Sequence, residues 1–158
     1  MKRILLSSLG LLFIFFPACK NADRKDDSKL SAETLKAKAD SLYDELLKEH
    51  DEGMKGWMKI EGRQKQIKTL LDSISSLPSN VQSSLVAYKV KLNEATGELG
   101  NAYEKMDLWM NEMNLDSANN NAELRIQYLT GEKLKGGKIT ELINNSLQKA
   151  DSLIKAKL

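Results

Sequence analysis

The chain has 158 residues, with 24 basic and 22 acidic residues, one histidine and one cysteine. A single cysteine cannot close an intramolecular disulfide, which excludes the framework of a small disulfide-stabilised exported domain. The formal charge of +2 comes from Lys2 and Arg3, because the chain without residues 1–18 has 22 basic and 22 acidic residues. Such a balance offers no basic face for nucleic acid, so we expect no nucleic-acid partner.

Residues 1–18 have the pattern of a signal peptide. Lys2 and Arg3 precede an apolar run from Ile4 to Phe16, and the small residue Ala18 follows. A membrane-spanning helix requires about 20 residues, and this run is shorter. It is therefore predicted to be removed by a signal peptidase and to take no part in the fold.

The residues "FPAC", 16–19, resemble the lipobox of bacterial lipoproteins, although Phe16 stands where that family usually has leucine. The resemblance implies a covalent lipid on Cys19, and the alternative is an ordinary cleaved signal with a free thiol. Lys20 in place of aspartate implies the outer membrane in that family. The tract "KNADRKDD" is similar to export signals of surface lipoproteins in bacteroidete-type bacteria, so a periplasmic or surface face is expected. Residues 19–30 read as a lipidated, flexible tether.

Beyond the tether, apolar residues recur every three or four positions, which is typical of amphipathic helices. We predict helices over residues 31–77, 81–113 and 117–157, and no stretch alternates as a strand would. Short connections make successive helices antiparallel neighbours. The predicted fold of residues 31–158 is all-α, an elongated antiparallel up-down-up three-helix bundle with coiled-coil-like packing.

Two polar segments separate the predicted helices, and each carries a helix-start pattern. The first follows Pro78 and places Ser79 three residues before Gln82, while the second is rich in asparagine and places Asn120 three residues before Glu123. This spacing is that of a capping box, in which the two side chains satisfy free backbone N–H groups. The two pairs are therefore predicted caps for the helices that follow these segments.

Eight glycines fall inside the predicted helices, where each costs about 0.8 to 1 kcal/mol relative to alanine. If the turns centre near residues 79 and 117, the glycines of all three helices come close to one level of the bundle. We interpret this zone as a place of close helix approach. The alternative is a hinge or local break at Gly136 and Gly137.

Next to that zone, the same alignment brings methionine, tryptophan and histidine side chains together. Methionine is the flexible residue that packs around tryptophan, so we interpret the group as a core layer. The alternative is a carrier site for a hydrophobic ligand or a soft ion such as Cu(I). The residues of this layer are His50, Met54, Trp57, Met58, Met106, Trp109 and Met110.

Catalysis is not expected. The segment "EHDE", residues 49–52, lacks the second histidine that a helical zinc motif needs four residues on, since position 54 is methionine. One histidine also leaves no base for a serine or cysteine nucleophile. We predict no metal site, and no cofactor apart from the lipid on Cys19.

The first predicted helix is longer than the second by about 14 residues, or about 20 Å at the helical rise. The apolar residues of this overhang lack an obvious partner in the predicted bundle. The segment could fray, fold back under the asparagine-rich loop, or pair with another helix. The last alternative makes it a site for self-association or for an envelope-protein partner, formed by Leu35, Ala39, Leu42 and Tyr43.

Three segments, "SLYDELLKEHDEGM", "MDLWMNEMN" and "NSLQKADSLI", resemble small coiled-coil lipoproteins of bacteroidete-type bacteria, a group often labelled viral A-type inclusion protein-like. The resemblance implies a lipid-anchored helical protein of unassigned function and supplies no catalytic residues. We therefore expect a non-catalytic binding or scaffolding protein. The alternatives are the small-ligand or metal carrier and a periplasmic chaperone that grips clients between helices.

Overall fold

A computed structural model describes residues 31–156, and its described part consists of helices without a strand, which confirms the all-α class. The predicted signal peptide, Cys19 and the tether lie outside the described residues. Residues 31–156 form four helices where three were predicted, because the second predicted helix is divided. The helices are α1 (Ala32–Ser75), α2 (Ser79–Ser84), α3 (Val86–Glu112) and α4 (Ala122–Lys155).

The connection between α1 and α3 is built differently from the predicted capping box. Pro78, not Ser79, is the N-cap of α2, and it makes no side-chain cap. The Gln82 amide Nε2 instead donates to the carbonyl oxygens of Ser75 at 3.0 Å and Leu77 at 2.8 Å. The Ser75 carbonyl ends the last turn of α1 and the Leu77 carbonyl follows it, and without Gln82 both would need water. Gln82 therefore closes the end of α1 instead of opening the next helix.

The connection before α4 is longer than predicted. The chain leaves helical geometry at Met113, and Asn114 Oδ1 accepts from the Asp116 backbone N–H at 3.0 Å in a local turn. Ala118 has a φ of 58°, a left-handed conformation that costs an L-residue energy. Asn121, one residue after the predicted cap, accepts from the Leu124 backbone N–H and starts α4. The predicted start at residue 117 is wrong because asparagine side chains hold residues 113–121 in turns.

Helices α1 and α3 contact each other in opposite chain directions. The Trp57 indole donates to the Tyr103 carbonyl at 3.2 Å, and farther along α1 the Gln64 amide contacts the Thr96 carbonyl at 3.4 Å. Residue numbers therefore rise along α1 as they fall along α3. This alignment agrees with a turn centred near residue 79.

Helix α4 contacts both of the other long helices. Its contacts with α1 run in the same chain direction, from Lys133 beside Glu45 to Asp151 beside Arg63. Its contacts with α3 run in the opposite direction, from Tyr88 beside Leu153 to Trp109 beside Glu132. Each long helix contributes an apolar stripe to one core. The core consists of Ala39, Leu46, Ile60, Ile67, Ile74, Leu92, Ala95, Leu99, Ala102, Met106, Trp109, Leu129, Ile143 and Ala150.

The longer second connection shifts α4 relative to α3, and the glycines no longer share a level. Gly62 of α1 lies next to Arg63, which pairs with Asp151, whereas the glycines of α4 lie at least 14 residues before Asp151, at positions 131, 136 and 137. Helix α4 runs without a break through Gly136 and Gly137. The prediction of one common glycine zone is therefore wrong, and the local break is not present.

Candidate functional site

The most polar part of the core is centred on Trp109 and Glu132. Trp109 is 4% exposed and Glu132 is 6% exposed. The indole Nε1 donates to Glu132 Oε2 at 2.8 Å, and Lys135 Nζ donates to Glu132 Oε1 at 2.7 Å. A buried carboxylate without hydrogen-bond donors costs several kcal/mol of folding free energy. Glu132 avoids this cost because each of its two carboxylate oxygens accepts a hydrogen bond. The hydrogen bond to Glu132 raises the pKa of Lys135.

Gly136 provides the space in which the Trp109 ring lies. A Cβ on Gly136 would lie 2.6 Å from Trp109 Cη2 and 2.8 Å from Cζ2. His50 approaches the ring from α1, with 6.1 Å between ring centroids and a tilt of 46°. Its Nδ1 atom lies 3.2 Å from Asp51 Oδ1, on the solvent side. The tryptophan thus connects all three long helices in one layer.

The methionines of the predicted layer have different environments. Met106 is fully buried, and its methyl group occupies the space beside Gly53. Met54 and Met110 are partly buried against the core. Met58 is 67% exposed on the outer side of α1, so its placement in a shared layer is wrong. Its spacing from Met54 is helical, but four residues turn it by about 40°, away from the packed side.

Trp57 belongs to a separate aromatic pair. It stacks on Tyr103, with 4.5 Å between ring centroids and 19° between planes. The structure therefore divides the seven predicted residues among a Trp109 layer, a Trp57 pair and the surface. Among residues 31–156, no three histidine, cysteine, aspartate or glutamate side chains are placed to share a metal ion.

The start of α1 does have a partner within the chain. Ala39 is 6% exposed, and Leu42 and Tyr43 pack against the core, while Leu35 is half-buried. The Arg125 guanidinium lies 5.6 Å from the centre of the Tyr43 ring. Of the three alternatives for this segment, the structure has the one in which it lies under the asparagine-rich loop, together with the first turns of α4, so the segment is not left without a partner in the chain.

A groove remains where this loop meets α1. Its volume is about 340 Å³. Arg125 is held across it, since Nη1 donates to the Ser117 carbonyl at 2.8 Å. Lys36 and Asp40 form an ion pair at 2.9 Å on its rim. The charged groups at this end therefore have partners in the chain. The groove is lined by Lys36, Ala39, Asp40, Tyr43, Leu115, Asp116, Asn119, Ala122 and Arg125.

Sequence reasoning missed the two buried polar residues of α4. Glu132 and Ser146 lie in core positions, and Ser146 Oγ donates to the Leu142 carbonyl at 2.8 Å and lies 3.4 Å from the Glu98 carbonyl. Glu132 stands three residues after the buried Leu129 and four before Gly136, at the helical spacing of a core stripe. A glutamate among core positions could have been recognised from this spacing, because a buried carboxylate requires a hydrogen-bond donor such as an indole N–H.

The chain matches no protein-family model, no curated protein and no solved structure. Within the described residues, every helix is too short in its apolar stretches or too polar to cross a lipid bilayer.

Proposed function

We propose that this chain is a lipid-anchored protein of the bacterial outer membrane that acts, without catalysis, as a helical binding or scaffolding module. The proposal joins the signal peptide and lipobox-like segment around Cys19 to the helical region that follows. In it, α1, α3 and α4 form an elongated up-down-up bundle with coiled-coil-like packing. The lipid on Cys19 supplies the membrane contact, and the helices supply the surface for an envelope protein or a second copy.

The observation that carries the scaffolding role is the use of polar core groups to align helices. The Trp109 indole bonds to Glu132 across α3 and α4. The Trp57 indole and the Tyr88 hydroxyl each donate to a backbone carbonyl of a neighbouring helix. Such bonds lose their partners if one helix slides by a turn, so they fix the register. A fixed register holds the outer faces of the helices in a constant arrangement, as a scaffold requires.

The anchor is tested by labelling the full chain with palmitate in a bacterial host and separating membranes. We expect label and membrane association in the natural chain and in Lys20→Ala, the control. Cys19→Ala should lose both, because the acyl chain is the proposed attachment. Label that persists in Cys19→Ala, or membrane association without label, would overturn the anchor.

The carrier alternative rests on the same Trp109 layer, because His50 lies at its edge with a side chain 27% exposed. Titration of the full chain with Cu(I), and separately with haem, while tryptophan fluorescence is recorded, distinguishes the two functions. The scaffolding role predicts no saturable change. A saturable change that is lost in His50→Ala, with circular dichroism unchanged, would favour the carrier.

A further inference from the structure

The outer face of α3 differs from the outer face of α1. It is the set of exposed residues at three- and four-residue spacing on the side opposite the core, and only one of them is charged. Val86, Val90 and Leu108 on this face are 58%, 50% and 49% exposed. The outer α3 face consists of Val86, Val90, Asn93, Gly97, Asn101, Glu104, Leu108 and Asn111.

The corresponding face of α1 is solvated by charges. It carries Asp51, Lys55, Lys65 and Asp72 around the single exposed apolar residue Met58. An exposed helix side is normally of this charged kind, whereas apolar residues at heptad spacing are typical of a seam between helices. The outer α3 face has three- and four-residue spacing, with Val86 and Val90 as apolar residues near one end and Leu108 near the other, and it contacts no other helix of the described chain.

Gly97 lies in the middle of the outer α3 face. A Cβ added there would meet nothing within 4 Å, as is also true at Gly62 of α1 and Gly131 of α4, but of these three only Gly97 lies in a face with a single charged residue. Within one chain, this glycine lowers the stability of α3 relative to alanine, and no neighbouring group uses the space that its missing side chain leaves. A glycine in the middle of an exposed helix side lets the backbone of another helix come close. Together with the exposed valines and leucine, the site favours a helical occupant.

We propose that the outer α3 face pairs with the outer α3 face of a second copy of this chain, with the two α3 helices antiparallel. A two-fold axis between Gly97 and Asn101 brings Val90 of one copy opposite Leu108 of the other. Gly97 then lies opposite Asn101, where the small residue allows close approach. The proposal rests on the proposed scaffolding role and identifies its partner.

Charge complementarity selects the antiparallel direction. Lys89 and Asp107 lie eighteen residues apart, which is five helical turns, so they flank the outer α3 face on the same side. Antiparallel pairing brings Lys89 of one copy near Asp107 of the other. Parallel pairing would leave Lys89 and Asp107 without each other, because the two copies of each flank then lie on opposite sides of the seam, and it would place Glu104 beside Glu104, where like charges repel.

The test is sedimentation of the full acylated chain in detergent micelles, over a range of protein concentrations. We expect a dimer that is weakened about tenfold or more by Val90→Asp or Leu108→Asp, since the two-fold axis places each change in the interface twice. Met58→Asp, on the outer side of α1, is the matched control and should leave the dimer unchanged. Circular dichroism of each variant checks that the helices remain.

Charge reversal tests the direction of pairing. Lys89→Asp and Asp107→Lys should each weaken the dimer, and the two together should restore it. A natural chain that is monomeric at every concentration, a dimer unaffected by Val90→Asp, or equal loss in Met58→Asp would overturn the proposal. Single reversals without effect, or a double variant without rescue, would overturn the antiparallel arrangement.

The labelling and sedimentation experiments test the lipid anchor and the α3 pairing independently. A palmitate-labelled, membrane-bound chain that is monomeric overturns only the pairing of outer α3 faces. An unlabelled chain that still dimerises through α3 overturns only the lipid anchor.

Discussion

Two glycines of α4 give a matched pair of substitutions that separates helix propensity from packing. Replacing either by alanine gains about 0.8 to 1 kcal/mol of helix propensity. At Gly131 the new Cβ meets open space, so Gly131→Ala should be more stable by about that amount. At Gly136 the new Cβ would lie 2.6 Å from Trp109 Cη2.

The ring cannot move freely, because Trp109 is 4% exposed and its indole is bonded to Glu132. Overpacking costs about 1 to 3 kcal/mol, and breaking a hydrogen bond to a charged group costs about 1.5 to 3 kcal/mol. After subtraction of the propensity gain, Gly136→Ala should lose about 1.5 to 5 kcal/mol of unfolding free energy.

The assay is urea denaturation of the full chain followed by circular dichroism, with midpoint and slope compared between variants. An unchanged slope shows that the variants unfold over a similar surface, so the midpoints report stability. If Gly136→Ala unfolds at the same urea concentration as Gly131→Ala, or at a higher one, the proposed role of Gly136 as space for the tryptophan is refuted.

Three further predictions concern single groups. Tyr88→Phe should destabilise the chain by about 1 kcal/mol, because the hydroxyl donates to the Leu153 carbonyl at 2.7 Å; hydrogen exchange should speed up at the end of α4 and not at its start. Ala118→Gly should stabilise the fold by about 1 kcal/mol and raise the thermal midpoint by a few degrees, because glycine adopts a φ of 58° without strain. A lower midpoint would show that Ala118 is not strained. Hydrogen bonding to Glu132 raises the pKa of Lys135 in the folded chain. The charged Lys135 therefore stabilises the fold fully below the ordinary lysine pKa, and this contribution is lost as pH rises through the raised pKa. Lys135→Met should therefore lose less stability than the natural chain as pH rises above the ordinary lysine pKa, as measured by urea denaturation, and equal losses would contradict the bond.

The sequence predicts the helices well because apolar spacing directly reflects a buried side. The predicted start of the first helix, residue 31, lies one residue from Ala32. The predicted start of α4 is wrong by five residues. Asn114 and Asn121 determine the true start through side-chain hydrogen bonds to the backbone, and such bonds cannot be inferred from the spacing of apolar residues. That one error also misaligned Gly136 with the other glycines.

The candidate site was harder to predict than the helices. Met106 and Trp109 are in the core as their spacing indicated, but Met58 has a similar sequence context and is exposed. The face of a helix on which a residue lies follows from about 100° per residue, and an error of one position turns a core residue outward. Glu132 was missed because its role depends on an indole from a different helix.

The contacts of α4 with α1 join residues that are far apart in the chain, as in the pair of Glu45 and Lys133. The chain therefore contains α1 and α3 completely before the segment that covers both is present. Contacts of such high sequence separation form late and slowly. Until α4 arrives, the stripe that includes Leu46 and Ile60 stays open to water or to other chains, so the nascent protein is most exposed to aggregation and to chaperones during its last 34 helical residues.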